Sequence, residues 1–269
     1  MHAVASVYQS RELLWNLTLR ELRTKYRRSF LGWAWSMLNP LATVAIYSFV
    51  FGTLFNAQAP VGDPSGLTGF GYFLLCGVLP WNFFALVSNL GLGAILGNAG
   101  LVRRVAFPRE VLVFSNVLHA CVQFAIELGL LGIVLLIAGS PFLRWLPVVL
   151  LTSALLAVFA SGFALALSVL AVYFRDMMYL WAILLQVWFF ATPIVYPPDL
   201  LETQAPQWVQ NILQFNPMNR FVEVYRRCLY DAAAPGWRTM LALVAVSFGS
   251  LVLGWAIFRR FVRRLPEEV

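Results

Sequence analysis

Residues 146–174 read LPVVLLTSALLAVFASGFALALSVLAVYF and carry no charged side chain. At about 1.5 Å per residue, a helix of that length reaches roughly 40 Å, more than the ~30 Å hydrocarbon core of a bilayer. The same reading extends in both directions from this stretch. Residues 33–55, 70–96 and 111–138 precede it, and 179–196 and 239–258 follow it, each an apolar segment of near-spanning length. The expectation is an all-α polytopic membrane protein with six transmembrane helices.

Composition agrees. The chain has 269 residues, 61% of them hydrophobic and 12% charged, with mean hydropathy +0.76. Soluble domains are about half apolar and a quarter charged. The net charge of +7 gives no reason to expect nucleic acid, because the bases gather at segment ends, where they meet lipid headgroups or set topology. Cys76, Cys121 and Cys228 have neither metal nor redox spacing, and no metal site is expected. His2 and His119 are far apart in sequence. Residues 1–11 contain no apolar core, so no cleaved signal peptide is expected.

The distribution of bases sets the orientation. With both ends on the cytoplasmic side, that side holds Arg11, Arg20, Arg23, Lys25, Arg27, Arg28, Arg103, Arg104, Arg109, Arg175, Arg259, Arg260, Arg263 and Arg264, fourteen in all. The opposite side holds five: Arg144, Arg220, Arg226, Arg227 and Arg238. The positive-inside rule favours this arrangement.

Residues 1–30 read as an N-terminal amphipathic interface helix ahead of a single transmembrane domain over 31–269. Trp15, Leu19, Leu22 and Tyr26 share one helical face and Arg20, Arg23 and Arg27 another, while Leu13 and Leu17 fall off the apolar stripe. Between the fifth and sixth spans, residues 197–236 are not plainly polar. Trp208, Val209, Ile212, Leu213 and Phe215 form one apolar cluster. After Asn216-Pro217 come Phe221, Val222, Val224, Tyr225, Cys228 and Leu229. Two short re-entrant helices in the outer leaflet fit this pattern.

Nothing in the chain forms a nucleophile–base pair or a carboxylate pair for catalysis. A P-loop needs a lysine after glycine to reach the nucleotide phosphates, whereas the single lysine, Lys25, follows Thr24 in a basic helix. ATP and Mg are therefore expected on another polypeptide, with no cofactor on this one. Glu127 lies midway along the third span, where a charge suggests either function or a hydrogen-bonded carboxyl between helices. There is no chain of such groups, which disfavours proton coupling. Trp181, Trp188, Phe189, Phe190 and Tyr196 make the fifth span aromatic; such faces suit sugar rings and equally suit packing. Gly93 and Gly97 form a small-xxx-small pair that allows close helix approach, and six helices enclose little room, so a dimer is expected.

Several segments together resemble one family. They are LLWNLTLRELRTKYRRSFLGWAWSMLNPL (13–41), LVRRVAFPREVLV (101–113), YFRD (173–176), FFATPIVYP (189–197) and NPMNRFVEVY (216–225). In this order they are similar to the membrane, or permease, subunit of ABC exporters for polysaccharide, O-antigen and teichoic acid. The resemblance implies a homodimer in the bacterial cytoplasmic (inner) membrane, joined to two copies of a separate ATPase. The substrate it implies is a glycan or polyol-phosphate polymer on undecaprenyl- or another polyprenyl-pyrophosphate. It also implies ATPase coupling through Arg103, Arg104, Phe107, Pro108, Arg109 and Glu110 and through Arg175 and Asp176. The pairs Arg109-Glu110 and Arg175-Asp176 serve either the ATPase or the span ends. An outer gate would include Trp208, Phe215, Phe221 and Tyr225. Arg20, Arg23, Arg27 and Arg28 suit either a pyrophosphate headgroup or anionic lipid, since guanidinium grips phosphate bidentately. The rivals are a drug or antibiotic exporter of the same fold and a membrane-embedded glycosyl or phosphoryl transferase.

Overall fold

A computed structural model of the chain describes residues 10–25, 34–54, 59–105, 107–197, 206, 207, 210 and 215–262. Nine α-helices are described: α1 (Arg11–Lys25), α2 (Ala34–Tyr47, running into a π-type segment Ser48–Leu54), α3 (Phe70–Gly93), α4 (Ala99–Arg104), α5 (Glu110–Ile137), α6 (Leu146–Tyr173), α7 (Met177–Phe190), α8 (Pro217–Tyr225) and α9 (Trp237–Phe261). Among the described residues there is no strand.

Among the described residues, four helices are long and apolar enough to cross a membrane: α3, α5, α6 with its leading turn from Phe142, and α9. They match the expected second, third, fourth and sixth spans to within three residues at each end. About 72% of the apolar stretch of α3 and of α6 is buried, against 33% for α5 and 22% for α9, so α3 and α6 form the centre and the others flank them.

Small residues set the closest crossings. A Cβ on Gly254 of α9 would collide with the Gly162 carbonyl of α6, and one on Gly162 with the Ser250 carbonyl. Ser250 Oγ completes the crossing by donating to the Phe159 carbonyl at 2.8 Å. Gly91 of α3 meets the Ala164 backbone of α6 in the same way. The pair expected to mediate close approach, Gly93 and Gly97, meets nothing within 4 Å inside the protomer.

The expected fifth span differs. Its helix, α7, has 14 residues and ends at Phe190; at about 1.5 Å per residue it reaches ~21 Å, short of a hydrocarbon core. Residues 191–196 are turns. Pro193 is the reason: it has no N–H for a helical bond and pushes Thr192 away from helical geometry.

The interface helix α1 lies against α5. Leu17 and Thr18 are buried, with Leu13 and Leu14 packed behind them. The expected apolar stripe faces away, and Trp15 is 60% exposed. At about 100° per residue, the two faces lie roughly 140° apart. Leu13 and Leu17, which break the stripe in sequence, are thus the protein-facing residues, and on the second face Trp15 is exposed and Leu19 and Leu22 are half-buried. The lipid interface accounts for both stripes on one short helix.

Of the two expected outer helices, the second is α8, packed on α3, α6 and α9. Most of the first, with Trp208, lies outside the described residues, as do Arg27 and Arg28.

Candidate functional site

The broken end of α7, the start of α8 and the upper part of α3 meet at two polar side chains. Helix α8 begins as its sequence dictates, with Asn216 as N-cap and Pro217 in the first turn. Asn216 Oδ1 accepts the Met218 backbone N–H at 3.0 Å and the Trp188 Nε1–H at 2.8 Å. Its Nδ2 donates to the Ala191 carbonyl at 3.0 Å and to Thr192 Oγ1 at 2.9 Å. Both donor hydrogens and both acceptor positions of the amide are used. One side chain therefore caps α8 and satisfies the first group freed where α7 stops.

Arg226, directly after α8, holds the next two. Its Nη1 donates to the Pro193 carbonyl at 2.5 Å, its Nη2 to Ile194 at 2.6 Å, and its Nε to Phe73 of α3 at 3.4 Å. The guanidinium stacks 3.7 Å from the centroid of the Phe73 ring, a close cation–π geometry. Gly77 of α3 leaves it room, since a Cβ there would sit 3.0 Å from Nη2. The side chain is 7% exposed. Burial pushes its pKa down to about 9, opposed by Cys76 and Asp231, which leaves it charged at neutral pH. Irregular backbone at such a position is stable only where its carbonyls are satisfied by protein. Arg226 and Asn216 supply those partners.

Beneath this hub the expected glycan-path residues separate. Trp181 is buried, its ring packed against Phe84 and Phe163 and its Nε1 donating to Ser88 Oγ at 3.1 Å. Trp188 lies among Trp81, Phe84 and Phe163. Phe189 meets Trp81. Trp181 and Trp188 thus join α7 to α3 and α6, with Trp181 enclosed by the three helices and Trp188 half-buried. Phe190 is 54% exposed, and the Tyr196 hydroxyl folds back onto the Phe190 carbonyl at 2.7 Å.

The expected gate residues divide in the same way. Phe221 and Tyr225 are fully buried, Phe221 against Phe159 and Tyr225 sharing a 2.7 Å hydrogen bond with Ser153. Phe215, by contrast, is freely exposed. Phe221 and Tyr225 therefore anchor α8 to the core. Glu127 is buried on α5 and accepts from Gln123 Nε2 at 2.8 Å, one turn back on the same helix.

At the opposite end, the start of α5 and the ends of α6 and α9 gather. Tyr173 Oη donates to the Phe261 carbonyl at 3.0 Å, and Arg109 Nη1 to Val262 at 2.7 Å. Arg109 therefore caps the last turn of α9, the span-end alternative for that residue. Phe107 packs on the core, and Phe107, Pro108 and Glu110 are half-buried. Arg103, Arg104, Arg175 and Asp176 are exposed, with Val105 and Phe174 exposed beside them. Arg20 is already engaged, donating to Glu21 Oε1 at 2.7 Å and to Asn98 Oδ1 at 2.8 Å, while Arg23 is exposed.

Sequence reasoning missed Arg226 and Asn216 as a pair. The signals were present: the pair Arg226-Arg227 set among the apolar residues of 221–230, and an Asn-Pro helix start after a Pro-broken span.

Comparison with known proteins fits this architecture. Residues 12–230 match the ABC-2 type transporter family model, and the chain belongs to that family. It is 32% identical to the O-antigen export system permease protein RfbA of Myxococcus xanthus, over 98% of this chain and 96% of that one. It is 27% identical to an RfbA of Klebsiella pneumoniae, over 95% and 94% of the two chains. It is 29% identical to the polysialic acid transport protein KpsM of Escherichia coli, over 90% and 91%.

Proposed function

We propose that this chain is the permease subunit of an ATP-driven exporter that moves a lipid-linked polysaccharide across the bacterial inner membrane. The observation that carries this reading is similarity, over nearly the full length, to permeases named for O-antigen and polysialic acid. In this reading α2 with its π-type segment and α7 complete six crossings, both ends lie in the cytoplasm, and ATP with Mg is bound by a separate ATPase. Two copies assemble. The outward stripe Tyr179, Ile183, Val187 and Phe190 of α7 is exposed in one protomer and supports such pairing. Arg103, Arg104, Arg175 and Asp176 form the exposed charged end that meets the ATPase. Arg23, with Arg27 and Arg28 beyond the described helix, meets phosphate at the headgroup level, from the polyprenyl-pyrophosphate carrier or from lipid.

Deleting the gene in its host tests the transport reading. Surface glycan should disappear while lipid-linked polymer accumulates on the cytoplasmic side. Normal surface glycan combined with altered drug tolerance would instead support a drug exporter of the same fold.

A further inference from the structure

Helices α5 and α6 are joined by a short connector, yet they diverge and leave a groove of about 510 Å³ between them. Its floor is made of small residues, Ala125, Gly129 and Gly132 on α5 and Ala154 and Ala157 on α6. A Cβ on Gly129 would meet nothing within 4 Å. The walls are aliphatic and open to the outside of the protomer: Ile133 is 57% exposed and Leu150 60%. The one hydroxyl in the lining, Ser153 Oγ, is already used, donating to the Val149 carbonyl and accepting from the Tyr225 hydroxyl. The groove therefore has nothing to offer sugar hydroxyls, whose hydrogen bonds would go unmade there.

The mouth is different. Leu143 and Leu146 line the groove, and Arg144 lies between them in the turn Phe142–Trp145. Arg144 is exposed and its guanidinium sits 5.6 Å from the Trp145 ring centroid. Trp145 is itself fixed, its Nε1 donating to the Ala232 carbonyl at 2.6 Å. Among the described residues no carboxylate pairs with Arg144. An Arg–Trp pair at the end of spanning helices lies at headgroup level.

We propose that this groove holds an acyl chain of an anionic phospholipid whose phosphate is gripped by Arg144. Charge decides between a lipid and an apolar helix of a second copy: the exposed Arg144 at the mouth calls for a phosphate. A slender chain fits, and the guanidinium supplies the bidentate phosphate contact that a neutral wall lacks.

The test is photo-cross-linking of the intact chain in phosphatidylcholine nanodiscs doped with diazirine-tailed phosphatidylglycerol or diazirine-tailed phosphatidylcholine. Labelled peptides are mapped by mass spectrometry. Phosphatidylglycerol should label residues 121–136 and 143–157 about fivefold more than phosphatidylcholine, the ratio that one basic side chain near a membrane supports. Arg144→Ala, a surface change, should remove that preference. Gly129→Leu, which fills the floor, should lower groove labelling by both lipids while leaving the size-exclusion profile unchanged. Three results would overturn the proposal. They are equal labelling by the two lipids, groove labelling no denser than on the exposed Val252–Leu253 face of α9, and disulfide formation between copies at Leu150→Cys.

Discussion

The Arg226 guanidinium donates to the backbone carbonyl of Ile194 across 2.6 Å, joining the segment after α8 to the turn where α7 stops. The contact connects residues 32 apart in sequence and is buried on both sides. It converts a helix end that lipid could not tolerate into one the protein completes. The end of α7 and the segment after α8 are thereby held to each other.

Replacing Arg226 with alanine should leave the Pro193 and Ile194 carbonyls buried without donors. At about 1–3 kcal/mol for each unmade hydrogen bond, the loss should be on the order of 3 kcal/mol or more. Lysine keeps the charge but not the planar fork, so it should restore only part. Thermal unfolding in detergent should rank wild type above Arg226→Lys above Arg226→Ala. Maleimide labelling of Cys76, fully buried and next to the Gly77 that faces the guanidinium, should rise in the same order in a chain whose other two cysteines are serine. Equal midpoints and equal labelling would mean the clamp carries no energy.

Asn216 allows a finer dissection. Asn216→Asp keeps the acceptor for the Met218 N–H and the Trp188 Nε1–H, but cannot donate to Ala191 and Thr192. Asn216→Ala loses all four contacts, including a helix cap worth about 1 kcal/mol alone. The alanine variant should be the less stable by at least that amount in chemical denaturation. A tie between the two variants would show that the acceptor oxygen contributes nothing.

The long helices were legible because uniform hydropathy over about 20 residues has few other physical explanations. The end of α7 was not, because FFATPIVYP is as apolar as a continuing span. Hydropathy counts side chains, whereas the break concerns backbone groups that Pro193 leaves unpaired. The side of α1 that packs on α5 was not legible for a related reason: Leu13 and Leu17 lie off the apolar stripe, and the sequence does not mark them as the protein-facing residues. The expected path residues show the same ambiguity. Trp181 and Phe190 have similar chemistry nine positions apart, yet one is buried and the other exposed. Which side of α7 is buried is decided by how it packs on α3 and α6.

The crossing of α6 and α9 should tolerate no added atoms. Gly162→Val or Gly254→Val would place side-chain carbon on an opposing backbone, which cannot retreat as a flexible side chain can. Both variants should fail to yield a monodisperse protein. Gly93→Ala and Gly97→Ala, where a Cβ meets nothing within 4 Å, should match wild type in size-exclusion yield. Loss of monodispersity in the second pair alone would place the close contact between copies instead of within one.

The charged end separates docking from capping. Arg103 and Arg104 close the last turn of α4 with exposed side chains. Arg109 is spent on the Val262 carbonyl. Charge reversal at Arg103 and Arg104 should therefore weaken co-purification of the ATPase, most strongly at low salt, because exposed charge pairs are screened within about 10 Å at 0.1 M salt. Arg109→Ala should instead leave co-purification at low salt largely intact. Its effect should be to fray the end of α9, read as faster hydrogen exchange over Phe258–Val262. If Arg109→Ala strips the ATPase while exchange stays slow, the guanidinium faces the partner in the assembled transporter, and its bond to Val262 belongs only to the isolated chain.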